Sequence, residues 1–240
     1  MALEQLELTT GLNKVDYAIS LLREYEPMEG YYLGFSGGKD SVVLYDIAVK
    51  SGVKFDAHYC VSPIDPPPLF KFIRENYSDV IWDYNAKGFW NMVDKRGLPM
   101  RQRRWCCESI KESGGYGRVV ITGSRAAESA RRSKYSFIST IIKSKTKKKV
   151  MLCPMLRFTD YDVWQYIREN KIPYSELYDA GLKRIGCVLC PFGGHPDSEI
   201  NMFPKIAALW LRACNRLITN GKYPYFKNGQ ELFNWWITRI

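Results

Sequence analysis

Along the chain, short apolar runs alternate with stretches whose apolar residues recur at three- and four-residue spacing. Asn13 to Tyr25 carries Val15, Ala18, Ile19, Leu21 and Leu22 on one stripe, which predicts an amphipathic helix beside a sheet. Tyr31 to Phe35 is a continuous apolar run, the pattern of a buried strand. Val42, Val43, Tyr45, Ile47 and Ala48 then take up helical spacing until Gly52 stops it. Phe55 to Val61 predicts a second strand, and Pro66, Pro67 and Pro68 a rigid turn, with Pro68 opening a helix over Leu69 to Tyr77. Val80 to Tyr84 reads as a third strand, with short helices over Phe89 to Lys95 and Trp105 to Glu112. Gly117 to Arg125 is a clear strand, and Lys149 to Met155 a weaker one broken at Pro154. Thr159 caps a helix reaching Asn170, with Asp162 at the third helical position in capping-box fashion. From Asp197 the chain is helical again. Strands alternating with helices predict an α/β fold: an open, mainly parallel twisted sheet with helices on both faces. Residues 1–195 read as one domain that includes the cysteine pairs, and 196–240 as a helical extension packed on it.

The chemistry concentrates where the first strand ends, at Ser36, Gly37, Gly38, Lys39, Asp40 and Ser41. A strand, a glycine turn and a helix start point backbone N–H groups at one spot, in front of a helix's positive end. The glycines permit close approach, Lys39 adds a point charge, and the two serines add hydroxyl donors. The string is not G-x-x-x-x-G-K-[ST], because Leu33 stands where the first glycine should be and Asp40 follows the lysine. It resembles instead the PP-loop of the ATP pyrophosphatase superfamily. That resemblance implies ATP cleaved between its α and β phosphates, release of pyrophosphate and adenylation of an acceptor. Asp40 is then a candidate to help hold Mg2+ or to shape the turn.

Composition narrows the setting. In 240 residues, 46% hydrophobic, no apolar run approaches the roughly 18 residues of a membrane span. The opening MALEQLELTT is acidic rather than basic-then-apolar and reads as no signal peptide. The seven cysteines therefore suggest a reducing, cytoplasmic setting and metal or catalytic roles rather than disulfides. Net charge is +10, concentrated in Arg101 to Arg104 and Lys143 to Lys149, runs that suit either solvated loops or a polyanion.

Four cysteines form a pattern, the adjacent Cys106-Cys107 and Cys187-x-x-Cys190, with Gly186 and Pro191 shaping the second turn. Neighbouring thiolates reach different corners of a cluster more readily than two positions on one small tetrahedral ion. The spacing thus favours a [4Fe–4S] cluster, with structural zinc as the alternative. Cys60, Cys153 and Cys214 lie in apolar contexts and read as core residues.

The order SGGKDS, CC, ITGSRAAESARR, P-x-x-x-x-T-D-x-D-V-W-x-Y-I, IPYSELYDAG and IGCVLC resembles the phosphoadenosine phosphosulfate reductase family over roughly residues 30 to 195. The resemblance implies the Rossmann-like, adenine nucleotide alpha hydrolase-like fold. It implies that Thr122, Gly123, Arg125, Arg131 and Arg132 line a nucleotide and phosphosulfate pocket, with Glu128 and Ser129 in the same segment. The four patterned cysteines match the iron–sulfur ligands of the branch that reduces adenosine phosphosulfate. Two features depart from the reductases. The tail NGQELFNWWITRI lacks their Glu-Cys-Gly-x-His nucleophile, and the phosphate loop, degraded in reductases, is intact here.

The first expectation is therefore an ATP-dependent, cluster-containing sulfurtransferase or adenylating enzyme, with Lys39, Asp40 and Arg125 at the reacting centre. Its acceptor would be tRNA, DNA or a small molecule, and a partner protein would supply sulfur or electrons. The alternatives are a sulfonucleotide reductase releasing sulfite, with Cys214 or a partner supplying the thiol, and a non-catalytic nucleic-acid-binding subunit. A homodimer is compatible with all three.

Overall fold

In the computed structural model, which describes residues 3, 6, 11–144, 147–193 and 196–239, β1 (Tyr31–Phe35) is the buried strand its apolar run predicts. It is flanked by α1 (Lys14–Glu24) and followed by α2 (Lys39–Ser51), β2 (Phe55–Cys60), α3 (Pro67–Asn76) and β3 (Ile81–Asp83). Asn13 caps α1 by accepting the Asp16 N–H at 2.8 Å, and Gly52 ends α2 at φ 75°, the left-handed conformation glycine adopts without strain. Helix α3 begins at Pro67 rather than Pro68. Next come α4 (Phe89–Arg96), α5 (Trp105–Ser109), β4 (Val119–Ile121), β5 (Ile138–Ile142) and β6 (Lys148–Leu152). The chain then runs through α6 (Asp160–Glu169), α7 (Pro196–Met202), α8 (Pro204–Thr219) and α9 (Gly229–Ile237).

The six strands form one sheet in the order β3-β2-β1-β4-β6-β5. β1 pairs in parallel with β2 and β4, and β4 with β6, so the sheet is mainly parallel as expected. β5 runs antiparallel to β6 at the sheet's edge and was not foreseen. Strand order reverses at β1, between β2 and β4, and ligands of open α/β sheets bind outside the carboxyl ends of the strands at such a switch.

The residues group into two compact units, each assembled from separate stretches of chain. The first comprises 1–59, 71–82 and 115–182 and holds most of the sheet with α1, α2 and α6. Leu33, Val42, Ile47 and Ile121 are fully buried in it. Its α6 has the capping box that Thr159 and Asp162 predict: Asp162 N–H donates to Thr159 Oγ1 at 3.2 Å, and Thr159 N–H to the Asp162 carboxylate at 2.7 Å. The same carboxylate, wholly buried, takes an ion pair from Lys14 and so ties α1 to α6. The second unit comprises 60–70, 83–114 and 183–240. Its core is aromatic, with Trp210 packed on Phe89, Trp90 and Trp236, and Trp236 donating to the Pro99 carbonyl at 2.8 Å. Among the described residues, no helix is long and apolar enough to cross a membrane.

Candidate nucleotide site and cysteine cavity

In the first unit, the carboxyl ends of β1 and β4 bring the predicted nucleotide residues together. Ser36 emerges exposed from β1, Gly37 turns the chain at φ 70°, and Gly38 caps α2. The loop is braced from within: Ser41 Oγ donates to Gly38 O at 2.8 Å, and Ser36 Oγ lies 3.2 Å from Ser41 Oγ. Lys39 sits in the first turn of α2, with its backbone N–H donating to the Tyr178 hydroxyl at 2.8 Å. That N–H is one of the orphan donors of a helix start, aimed where an anion would sit.

From β4 the chain leaves the sheet after Ile121, so Thr122 to Arg125 form a loop rather than the end of the expected strand. Gly123 explains the exit. A Cβ there would lie 2.7 Å from the Asp40 carbonyl oxygen, so only glycine lets this loop touch the first turn of α2. Thr122 Oγ1 lies 3.3 Å from Ser124 Oγ and 3.6 Å from Cys153 Sγ.

Arg125 is 2% exposed and holds two carboxylates, with Nε 2.6 Å from Asp40 Oδ1 and a terminal nitrogen 3.0 Å from Asp160 Oδ1. Lys39 Nζ lies 3.4 Å from Asp40 and 3.2 Å from Asp160. Two cations and two carboxylates thus interlock, joining the starts of α2 and α6 to the β4 loop. The Asp160 side chain is 66% exposed whereas Lys39 is buried, so the Lys39–Asp160 contact is the most readily exchanged with solvent or a ligand. Glu128 accepts the Arg125 backbone N–H at 2.9 Å and pairs with Arg132, while Arg131 is exposed beyond them. Glu128 therefore positions Arg125 and neutralises Arg132.

Asp160 and Tyr178 were missed as site residues. Asp160 follows a capping threonine and reads as a helix-start acid. Tyr178 lies in the IPYSELYDAG string, which carried no residue-level signal beyond the resemblance.

The four patterned cysteines all fall in the second unit and line one cavity of about 350 Å³, counting its open mouth. Cys106 and Cys107 follow Trp105 in the first turn of α5. Between Cys187 and Cys190 the buried Leu189 adopts φ 56°, a left-handed position unusual for leucine that folds the C-x-x-C turn back. The turn is held by Val188 N–H to Ile64 O at 2.7 Å and Leu189 N–H to Glu199 at 2.5 Å. Cys187 Sγ approaches Ser62 Oγ at 3.7 Å, and half-buried Lys111 reaches both oxygens of the buried Asp65 at 3.0 Å.

Burial pushes the Cys187 and Cys190 thiols up, and Lys111 counters it at Cys187. Burial also works against charge on Lys111, but the negative charge of a Cys187 thiolate and of the Asp65 carboxylate outweighs it and raises its pKa. The hydrogen bond between Cys106 and Cys107, helped by Arg104, favours the thiolate on Cys107 and the thiol on Cys106.

All seven cysteines are free. Among the described residues, no three His, Cys, Asp or Glu side chains converge on a single point at metal-ligand distance. The cavity's potential ligands are all sulfur, its remaining walls are mostly apolar, and Lys111 offsets negative charge. This donor set fits a thiolate-ligated iron–sulfur cluster or zinc. Cys153 and Cys214 are buried as expected, but Cys60, at the end of β2, is only half-buried. Arg101 and Arg104 of the basic run are engaged beside this cavity, Arg101 donating to Pro191 O at 2.9 Å and Arg104 lying 4.7 Å from the Phe192 ring.

Known proteins resemble this chain in sequence and in fold. The sequence model of the phosphoadenosine phosphosulfate reductase domain matches residues 30–192. An uncharacterised protein of Methanocaldococcus jannaschii is 31% identical over 218 residues, covering 83% of this chain and 52% of that protein. Adenosine 5'-phosphosulfate reductase of Oceanobacillus iheyensis is 43% identical over 95 residues, 38% of each chain. The chain thus spans about half or less of the length of these curated relatives. The crystal structure of phosphoadenylyl-sulfate reductase from Candida auris, a phosphate complex, superposes with a TM-score of 0.54 at 18% identity, covering 75% of this chain and 90% of that one. At that identity the likeness concerns the fold.

Proposed function

Because the chain belongs to the phosphoadenosine phosphosulfate reductase domain family, whose members are enzymes, we propose that it uses ATP to activate an acceptor for sulfur transfer. The observation that carries this reading is the intact Ser36–Ser41 loop, with Lys39 and Arg125 buried behind it. A triphosphate's β and γ groups concentrate negative charge, and a helix start with a movable lysine is suited to it.

In the proposed reaction an acceptor oxygen attacks the α-phosphorus. A new O–P bond forms, the bond from the α-phosphorus to the bridging oxygen breaks, and pyrophosphate leaves with that electron pair. The acceptor's proton passes to solvent, and a sulfide-level nucleophile from the sulfur donor then attacks the acceptor atom that carries the adenylated oxygen. A new bond to sulfur forms, the bond to that oxygen breaks, and AMP leaves with the electron pair. Lys39 would turn from the exposed Asp160 toward the leaving pyrophosphate, exchanging its ion pair with that carboxylate for the phosphate charge. Its backbone N–H would pass from Tyr178 to a phosphate oxygen. Asp40, already held by Arg125 and Lys39, shapes the loop. Asp160, the more exposed of the two carboxylates, would help hold Mg2+, which would offset charge on the phosphates. Thr122, Gly123 and Arg125 close the far side of the nucleotide.

Cys106, Cys107, Cys187 and Cys190 would hold the [4Fe–4S] cluster, which supplies thiolate-bound iron for electron or sulfide transfer. Four thiols lining one cavity, two of them adjacent in the chain, favour a polynuclear cluster over a single zinc ion, because neighbouring thiolates reach different corners of a cluster more readily than two positions on one ion. The second reading, a sulfonucleotide reductase, is favoured by the 43% identity to an adenosine 5'-phosphosulfate reductase.

Anaerobically purified protein incubated with ATP labelled at the α or the γ phosphate, with and without cell tRNA and DNA, tests the proposal. AMP and pyrophosphate are expected. ADP and phosphate as the products would overturn it.

A further inference from the structure

The nucleotide site leaves the acceptor's class open, and the sheet edge in the same unit bears on it. From Ser129 to Thr159 the chain contains no Asp or Glu, yet Arg131, Lys134, Lys143, Lys147 and Lys148 all fall there, beside Arg132, whose charge Glu128 takes up. This segment forms the β5–β6 ribbon. Every residue of β5 is exposed, including Ile142 at 64%, and β5 is the last strand of the sheet, with one backbone edge unpaired within it.

The bland reading is edge protection, in which charged side chains on an outer strand block aggregation. It fits poorly, because β5 itself reads Ile-Ser-Thr-Ile-Ile and carries no charge. The cations stand instead at its two ends. At one end Ile138 pairs with Leu152, whose carbonyl accepts the Thr122 N–H at 3.2 Å, so this end adjoins the nucleotide loop, with the exposed Arg131 and Lys134 shortly before it in the chain. At the other, Ile142 pairs with Lys148, and Lys143 N–H donates to Lys147 O at 2.9 Å to close the hairpin. Lys143, Lys147 and Lys148 are all exposed there. Lys145 of the same run lies outside the described residues.

Five strand residues separate the two basic ends by about 17 Å. A free nucleotide is too short to neutralise both. A nucleic acid presents backbone charge continuously, about one per 1.7 Å of duplex axis, and a two-stranded ribbon is a shape its major groove admits. We infer that the β5–β6 ribbon is a nucleic-acid docking surface, which makes the acceptor activated beside Lys39 a nucleic acid. The docking stands on the ribbon alone; the identity of the acceptor rests on the ATP reading above.

The test uses the full chain and two fluorescein-labelled probes, a 20-base-pair DNA duplex and an RNA hairpin, titrated by anisotropy across a salt series. The variant replaces Lys143, Lys147 and Lys148 by Gln together, and binding of a non-hydrolysable ATP analogue is measured alongside. At least one probe should bind, and the variant should flatten the slope of log affinity against log salt by about 2 to 3 while binding the analogue as the parent does. No binding of either probe at 50 mM salt, or a slope the variant leaves unchanged, would overturn the inference. So would sedimentation showing that β5 is covered by a second copy whose dissociation by Ile141→Lys leaves probe affinity intact. If the parent binds a probe in this way but not the ATP analogue, the ATP reading fails and the docking surface stands.

Discussion

Replacing Gly123 by alanine sets a Cβ 2.7 Å from the Asp40 carbonyl oxygen and 2.9 Å from its carbon, closer than such atoms ever sit. Both obstacles are backbone in the first turn of α2, so no side chain can swing aside. Gly34, in β1 beside the same junction, is the control, since a Cβ there meets the Thr122 methyl at 3.5 Å and the Ile121 carbonyl oxygen at 3.7 Å, both ordinary contacts. Overpacking of this kind costs about 1–3 kcal/mol, which for a chain of this size lowers Tm by about 2–12 °C. If the strain is relieved by moving the phosphate loop, the same energy appears as a roughly 5- to 150-fold loss of ATP affinity. Calorimetric Kd values and thermal melts of Gly123→Ala and Gly34→Ala measure both quantities. Gly34→Ala should resemble the parent. A Gly123→Ala protein with parental Tm and parental Kd would refute the claim that contact between the β4 loop and α2 assembles the site.

Asp162→Asn leaves Lys14 buried without its counter-ion and should cost about 3–5 kcal/mol in denaturant unfolding. Burial pushes the Asp162 carboxyl up, but hydrogen bonds from Lys14 and Thr159 outweigh it and hold its pKa below the ordinary range. A depressed carboxylate stabilises the fold fully above its unfolded pKa of about 3.9, and that share is lost as pH falls through the folded value; the variant should lack this acid limb. Tyr178→Phe removes the hydroxyl that a phosphate must displace from the Lys39 N–H. Pyrophosphate should then bind about 2- to 10-fold more tightly, whereas weaker binding would mean the hydroxyl contacts the ligand itself. After anaerobic reconstitution the protein should be brown, Cys187→Ser colourless and Cys60→Ser brown; bound zinc without iron in the parent would contradict the cluster assignment.

The parts of the fold that were readable from the sequence rest on local signals. β1 is a pure apolar run, Gly52 occupies a position needing positive φ, and Thr159 and Asp162 satisfy each other within one turn. β5 escaped notice because both its faces are exposed, so its residues carry no inside–outside alternation. The apolar pattern runs past the end of β4 because it cannot register that Gly123 must leave the sheet to meet Asp40. The glycine loop and the cysteine pairs were legible as chemistry since each motif is contiguous. Asp160, Tyr178, Asp65 and Lys111 gain their roles only when distant segments fold together, and nothing in their immediate neighbours marks them.

The central claim, that this loop works on a triphosphate, is tested most directly by comparing the parent and Lys39→Ala on two substrates under anaerobic conditions. With ATP and the nucleic-acid acceptor, the account predicts AMP and pyrophosphate from the parent and a rate lower by about a hundredfold or more from Lys39→Ala, as the leaving group loses its charge partner. With adenosine 5'-phosphosulfate and a thiol reductant it predicts no sulfite. Sulfite release that proceeds equally in the parent and in Lys39→Ala, with ATP left intact, would contradict it.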